Sequence, residues 1–399
     1  MYNNRYGTGS RNTRFGSQRN QRSGGSFNRR GQGTPIHESK FIKKISAVIA
    51  PVSEAVTQKF EDFKINDALK QNIARRGFTI PSPIQDKTIP HILEGKDLIG
   101  VANTGTGKTG AFLIPLIEML KTNKHNKVLI MVPTRELGQQ IASEFRMFSF
   151  GMNVYSTLCI GGSNIRAQID QLRRNPHIVI GTPGRLKDLV ERRILNMSSF
   201  TGVVLDEVDR MVDMGFIQDM KYLLALLPKE RQSLFFSATV SHEINTVIQT
   251  FSKSPMTVSV KSQDTAQNVE QDVVRVGRGG FKMDVLQDLL KKEEFQKVLI
   301  FGRTKMGVER LATNLYQKGF KVTSIHGDKP QFKRTQAIRM FKENVVKILV
   351  ATDVAARGID IPDITHVINY DQPATYDDYI HRIGRTGRGD KKGIALTFV

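Results

Sequence analysis

Leu98-Ile99-Gly100-Val101-Ala102-Asn103-Thr104-Gly105-Thr106-Gly107-Lys108-Thr109 decides how this chain folds. Its apolar start reads as a buried strand, Gly110–Leu120 reads as a helix, and the glycines between them make a tight turn. Backbone amides in such a turn face phosphate oxygens, and the helix N-terminus behind it adds positive potential. Lys108 is placed to reach the β- and γ-phosphates of a nucleoside triphosphate, and Thr109 to ligate Mg2+. Ala102 stands where this pattern normally opens on glycine. An ordinary glycine-rich turn imitates part of the pattern, but not the whole Gly-x-Gly-Lys-Thr run between a strand and a helix.

Such a site needs a second strand ending in a carboxylate. Val203, Val204 and Leu205 run directly into Asp206 and Glu207. Asp206 is suited to hold Mg2+ through water, and Glu207 to orient and deprotonate an attacking water. Acids opening a helix also simply favour its dipole, and at a strand end both readings hold. Far along the chain, His381-Arg382-Ile383-Gly384-Arg385-Thr386-Gly387-Arg388 offers three guanidiniums in eight residues. Arg385 and Arg388, three apart, face one way on a helical turn. Across a cleft they are suited to meet the γ-phosphate as arginine fingers do. A basic surface loop is the bland alternative. Chemistry split between two distant segments points to a motor or a switch.

A chain of 399 residues exceeds one ordinary core and predicts about two domains plus a tail. Its net charge of +21, from 59 Lys and Arg against 38 Asp and Glu, favours a polyanionic partner. The single cysteine, Cys159, excludes an intrachain disulfide framework and fits a reducing compartment. No apolar run reaches the roughly 20 residues that span a bilayer, so no membrane association and a cytoplasmic location are expected. Residues 1–35 hold seven Arg, seven Gly and five Asn, without Lys, Asp, Glu, Leu, Ile or Val. Such a segment cannot bury enough apolar surface to order itself, so a disordered basic tail is expected over 1–40. It serves either as an auxiliary RNA or DNA contact or as a solubilising tail.

An extension over 41–59 follows, with Phe41, Ile42, Ile45, Val48 and Ile49 at helical spacing before Pro51. Beyond it, short apolar runs alternate with helical stretches. One series is Val128–Val132, Ile178–Ile180, Val203–Leu205 and Leu234–Phe236. A second is Val298–Phe301, Ile348–Val350 and Val367–Ile368. Continuous apolar strands interleaved with helices predict α/β domains with parallel sheets covered on both faces. The polar stretch 261–271 between the series reads as a linker or a long surface loop, dividing a domain over 60–260 from one over 272–399.

The motifs form an ordered series. Val204-Leu205-Asp206-Glu207-Val208-Asp209, Ser237-Ala238-Thr239, Pro133-Thr134-Arg135-Glu136-Leu137, Gly161-Gly162 and Thr182-Pro183-Gly184-Arg185 resemble the DEAD-box RNA helicases, with a DEVD form of the naming motif. Ala351–Asp360 and His381–Arg388 also match, and the resemblance covers roughly residues 60–399. It implies two tandem RecA-like domains, ATP and Mg2+ as cofactors, RNA held mainly by its sugar-phosphate backbone, and a monomeric core. Phe60, Phe78 and Gln85 resemble the family's adenine-recognition motif, with Phe60 seventeen residues before Gly77. Gln85 offers a donor and an acceptor to the adenine edge and Phe60 covers the base. Ser82-Pro83-Ile84-Gln85 is equally a helix-capping box. The resemblance adds Thr104, Gly105, Thr106, Gly107 and Asp360 to the nucleotide side.

For RNA the resemblance implies contacts from Arg135, Gly161, Gly162, Thr182 and Arg185 in the first domain, and from Arg334 and Thr352 in the second. Thr134-Arg135 and Thr182-Pro183 look like helix starts, where free amides receive phosphates without reading bases. Taken alone, Arg334 would be a solvated surface charge on a helix ending near Phe341. Asp209, Ser237, Thr239, Arg357 and His381 are assigned to coupling between the domains. Two residues depart from the family pattern: Val208 and Gly138 stand where it has alanine. Overpacking by Val208 near the interdomain face, at about 1–3 kcal/mol, is expected to slow closure. The chain stops at Val399 after a strand-like run, where the family continues into further helix, so truncation of the second domain is one open reading.

The function implied is local, non-processive separation of RNA duplexes coupled to RNA-stimulated ATP hydrolysis. The alternative is an ATP-gated RNA clamp or ribonucleoprotein assembly scaffold with little unwinding. A DNA translocase is disfavoured by the adenine and DEVD motifs. Ribosomal or RNA-turnover proteins are the partners the resemblance suggests.

Overall fold

The computed structural model describes residues 36–44, 56–103, 105–260, 268–277, 280–356, 359, 361–387 and 391–399. The tail over 1–35 lies outside these, as do Thr104, Arg357, Asp360 and Arg388 among the expected site residues. In the first domain α1 (Asp67–Arg75) and α2 (Pro83–Leu93) precede β1 (Leu98–Val101), α3 (Lys108–Thr122), β2 (Val128–Met131), α4 (Arg135–Phe148), β3 (Ser156–Cys159), α5 (Ile165–Arg173) and β4 (Ile178–Gly181). It continues through α6 (Pro183–Glu191), β5 (Gly202–Asp206), α7 (Val208–Asp213), α8 (Ile217–Ala225), β6 (Gln232–Ser237), α9 (His242–Phe251) and β7 (Met256–Ser259). The second domain opens with β8 (Val269–Val274), α10 (Lys282–Leu290), β9 (Val298–Phe301), α11 (Lys305–Gln317) and β10 (Val322–Ile325). It closes with α12 (Gln331–Lys342), β11 (Ile348–Ala351), α13 (Asp353–Ala356), β12 (His366–Asn369), α14 (Tyr376–Ile383) and β13 (Gly393–Phe398).

These strands build a seven-stranded sheet, β3-β4-β2-β5-β6-β1-β7, and a six-stranded one, β10-β11-β9-β12-β13-β8. Pairing within both is parallel, so the two RecA-like α/β domains expected from the apolar runs are present. Alternation along each strand feeds two cores. Val128 and Ile130 of β2 join the cluster on one face of the first sheet, while Leu129 and Met131 join the cluster on the other. In β9, Val298 and Ile300 divide from Leu299 and Phe301 in the same way. Each such fully buried side chain stabilises the fold by about 1.5–3 kcal/mol, which is why both faces carry helices. Gly100 is demanded by packing: a Cβ there would stand 2.6 Å from the Phe236 ring.

The strand order brings β5, β6 and β1 side by side, so their carboxyl ends form one rim. That rim is where open α/β sheets hold ligands.

The structure departs from the sequence reading at three places near the domain edges. Over its described residues, 41–44, the run expected to be helical is not: Glu38–Phe41 is a short 3-10 turn and Ile42 is extended. Lys43 then pairs with Gln271 as an antiparallel bridge, because β8 is an edge strand with backbone groups to satisfy. Residues 36–40, read as tail, are thus part of the folded chain, whereas 45–55 lie outside the described residues. Residues 269–271, read as linker, are the start of β8, whose Val269 is fully buried.

Candidate functional site

At the end of β1, Gly105 and Gly107 adopt φ of +87° and +95°, the left-handed region that glycine enters without steric cost. Gly107 is the N-cap of α3, so Lys108 and Thr109 open the helix as the motif requires. The Lys108 ammonium is buried and donates to Ala102 O at 2.9 Å, while Thr106 Oγ1 donates to Asn103 O at 2.8 Å. Ala102 N in turn donates to Ser237 O at 3.0 Å, tying the loop to β6.

Asp206 and Glu207 end β5 on the same rim. Asp206 is 2 % exposed, and burial pushes its carboxyl up to about 7 against the pull of the Lys108 ammonium, with the Glu207 and Asp209 carboxylates adding to the rise. Glu207 sits in left-handed backbone, φ +54°, and caps α7. Its Oε2 lies 3.3 Å from Arg210 Nε, in an ion pair that is almost fully buried. Three carboxylates against so little positive charge form a site that a divalent cation would complete. Among the described residues no group of three His, Cys, Asp or Glu could hold a metal alone. Mg2+ held by Asp206 and Thr109 would therefore draw its other ligands from phosphate oxygens and water, as this ion ordinarily does. The residues present fit ATP with Mg2+.

Asp209 Oδ2 accepts from Ala238 N at 3.0 Å and Thr239 N at 3.1 Å, and Asp209 N donates to Ser237 Oγ at 3.3 Å. The acid strand and the Ser-Ala-Thr strand are thereby locked together. Gln85 joins two sites that the sequence read separately. Its Oε1 accepts from Ser82 N at 2.9 Å, as in a capping box, and its Nε2 donates to Gly107 O at 2.9 Å. Phe60 is buried edge-on against Phe63 rather than standing free over a cleft. Phe78 is 44 % exposed, and its ring contacts are with Phe148 and Arg76.

From the second domain, His381 and Arg385 face this rim across a cleft of about 530 Å³ whose other wall includes Asn103, Asp209 and Thr239. Arg385 does not continue α14, which ends at Ile383. Gly387, with φ +67°, turns the chain instead, and Arg385 is held by Nη1 donating to Ile359 O at 2.9 Å and Nε donating to His381 O at 3.3 Å. Arg382, given no role by the sequence reading, is clamped by Asp353 at 2.6 and 2.8 Å and by Asn369 and Asp371, fixing α14 within its own domain.

The expected RNA residues divide into two groups. Thr182 caps α6, and Arg185 Nη1 donates to Gln168 Oε1 at 2.9 Å. Thr352 directly follows β11 and its carbonyl accepts from Ala355 N and Ala356 N. Arg135 opens α4 behind the N-cap Thr134, and Gly161 and Gly162 lie under its guanidinium. A Cβ on Gly162 would stand 2.2 Å from Arg135 Nη1, so these glycines make room for the arginine. Burial and the nearby Arg334 lower the Arg135 basicity. Arg334 is not a solvated charge: it is buried, with Nη2 2.8 Å from Oε2 of Glu136 in the first domain and Nε without a hydrogen-bond partner. Gln331 bridges the same groups, donating to Glu136 Oε1 at 3.1 Å and accepting from Arg135 Nη1 at 3.4 Å.

Glu136 and Gln331 were missed. The signal available for both was position: Glu136 follows Arg135 directly, and Gln331 precedes Arg334 by one helical turn. Val208 requires a correction too. It is fully buried in the first domain's own core with Leu205 and Met211, not at the interdomain face, so the expected slowing of closure loses its basis.

Comparison with known proteins accounts for the arrangement. The family model for the DEAD/DEAH box helicases matches residues 82–247, and that for the helicase conserved C-terminal domain matches 281–390. The chain is 46% identical over 343 residues to the ATP-dependent RNA helicase CshA of Listeria monocytogenes, covering 86% of this chain and spanning 66% of that protein's length. The crystal structure of a DEAD box protein from Methanococcus jannaschii is 38% identical, with 86% of this chain and 93% of that one covered and a TM-score of 0.51. Dbp5 of S. cerevisiae bound to RNA and ADP BeF3 is 29% identical, with 86% and 90% covered and a TM-score of 0.75. The chain belongs to the DEAD-box helicase family.

Proposed function

We propose that this chain is an ATP-dependent RNA helicase that separates short duplexes locally, driven by RNA-stimulated ATP hydrolysis. The observation that carries the reading is the cleft with Asn103, Asp209 and Thr239 on one wall and His381 and Arg385 on the other. An ATP site divided in this way works only when the domains are together. Support comes from the overall arrangement, which is nearer to RNA- and ADP BeF3-bound Dbp5 than to the M. jannaschii protein of higher identity.

In the mechanism that follows, Lys108 exchanges Ala102 O for phosphate oxygens, and the amides of 105–109 cradle the same groups. Bound Mg2+ supplies positive charge to the phosphates and relieves the crowded carboxylates around Asp206. Glu207, steadied by Arg210, orients water and accepts its proton, and Arg385 faces the charge that develops at the γ-phosphoryl group. Asp209, Ser237 and Thr239 carry closure of the cleft to β5 and β6. RNA lies against Arg135, Thr182, Arg185 and Thr352, where helix starts and guanidiniums meet its backbone. A strand bent to fit both domains cannot remain in an A-form duplex, so pairing fails locally. The buried Glu136–Arg334 pair favours a second reading, a clamp whose slow reopening outlasts unwinding.

Steady-state ATPase with and without single-stranded RNA or DNA, beside unwinding of a short RNA duplex, tests the proposal. RNA should raise turnover, and RNA and ATP should each tighten binding of the other by the same factor. Rates and affinities indifferent to the other ligand sink it. ATP-dependent RNA retention without strand separation selects the clamp.

A further inference from the structure

The segment Ile36–Lys44 folds onto the second domain, although the chain next enters the first. Phe41 is fully buried in a cluster with Val269 of β8, Ala395 of β13, and Tyr379 and Ile383 of α14. Its ring centroid lies 4.8 Å from that of Tyr379, inclined at 58°. Lys43 and Gln271 exchange two backbone hydrogen bonds of 2.9 Å, and the Gln271 side chain accepts from the Tyr379 hydroxyl at 3.0 Å. Gln271 is thus held by the segment through its main chain and holds α14 through its side chain. Glu38 pairs with Arg275 at 3.1 Å, and the Lys40 ammonium lies 5.2 Å from the Tyr376 ring.

The helix so gripped is the one that delivers the second-domain half of the cleft. It carries His381 and ends two residues before Arg385. Arg382 anchors one side of α14 to Asp353, Asn369 and Asp371, but the side bearing Tyr379 and Ile383 rests on Phe41. Among the described residues the other buried members of that cluster outside α14 are Val269 and Ala395, with Ile36, Val273 and Val399 partly buried at its edge. Of the two buried ones, neither is large enough to refill the space a phenyl ring leaves, and a short helix over a void tilts or frays.

We propose that Phe41 is a positioning residue for the arginine half of the ATP site, fixing α14 so that His381 and Arg385 meet the first domain in register. The proposal rests on the ATPase reading above. It is tested with the full chain carrying Phe41→Ala, with Phe41→Leu as the conservative variant and Lys43→Pro as a variant that spares the core. Amide exchange over Tyr376–Gly387, measured without nucleotide, should quicken by about tenfold or more in Phe41→Ala and be largely restored in Phe41→Leu. RNA-stimulated kcat should fall by about tenfold while the KM for ATP, set by the first domain, moves less than about twofold. Lys43→Pro should show the same pattern at smaller size, and it decides the matter if Phe41→Ala does not fold. Unchanged exchange over α14, or a kcat that stays at the wild-type value in folded variants, overturns the proposal. Wild-type protein without RNA-stimulated hydrolysis would refute the ATPase reading instead, with the exchange result still deciding whether Phe41 holds α14.

Discussion

Replacing Asp206 by asparagine should stabilise the nucleotide-free, Mg2+-free protein while abolishing hydrolysis. The carboxyl titrates near 7 in the folded chain against an ordinary 3.8, burial being the main cause. A raised carboxyl pKa means the folded state binds the proton more tightly than the unfolded one, so stability falls as pH rises through that interval. This is the reverse of the usual salt-bridged aspartate. A difference of roughly three pKa units at about 1.4 kcal/mol each sets the cost of the ionised form near 4 kcal/mol above pH 7. At pH 5 only the lower part of the interval has been crossed, and the cost is less than half of that. Asparagine is uncharged at both and retains an oxygen to accept from Glu207 N, which now donates to Asp206 Oδ1 at 3.0 Å. Urea denaturation of both proteins in EDTA, at pH 5 and pH 8, measures the gain at each. The expected gain is about 2–3 kcal/mol larger at pH 8, or roughly 4–12 °C in the melting of a domain this size. A gain equal at the two pH values, or a loss, would show that Asp206 is not strained by its burial.

Three further outcomes follow from the geometry. Gly162→Ala puts a Cβ at φ +73° and 2.2 Å from Arg135 Nη1, so stability should fall by about 1–2 kcal/mol and RNA affinity should drop with it; unchanged RNA binding would separate Arg135 from that role. Gln85→Ala removes the partner of both Ser82 N and Gly107 O, so urea denaturation should register a loss of about 1–3 kcal/mol and ATP should lose its advantage over GTP in turnover. Cys159 is buried, and burial pushes its thiol up to about 12. It should resist alkylation at pH 8 in the folded protein and react once urea opens the sheet; rapid labelling of the native chain would mean that β3 opens locally.

How much of this was legible depended on where each residue's partner lies. The central strands were readable because Val128–Met131, Val203–Leu205 and Val298–Phe301 are buried on both faces and hence continuously apolar. The edge strands were not: Ser156-Thr157-Leu158-Cys159 alternates in burial, and Met256–Ser259 is mostly exposed. The phosphate turn was readable because its chemistry is local to one turn and one helix start. Glu136 and Arg334 belong to different domains, and no periodicity links residues so far apart. Val208 was misplaced for a local reason. Successive helical residues are about 100° apart, so at the start of α7 Asp209 lines the cleft while its neighbour Val208 points into the core. Gly161 and Gly162 stood out as a pair, but a missing Cβ does not announce whose side chain it admits.

Glu136 has a consequence for how a nucleic acid would arrive. Its carboxylate already occupies Arg334 as a resident anion, so a phosphate reaching that guanidinium displaces a fixed charge rather than a loosely held chloride. The cation that leaves the phosphate is then offset by one drawn to the freed Glu136 carboxylate, so the exchange releases little net small ion. The salt dependence of RNA binding should therefore be shallower by about 0.7 in log–log slope than the number of arginines on the path implies, and Glu136→Gln should restore the difference. Arg334 would then discriminate by timing: it becomes available only when something better than a carboxylate is in place.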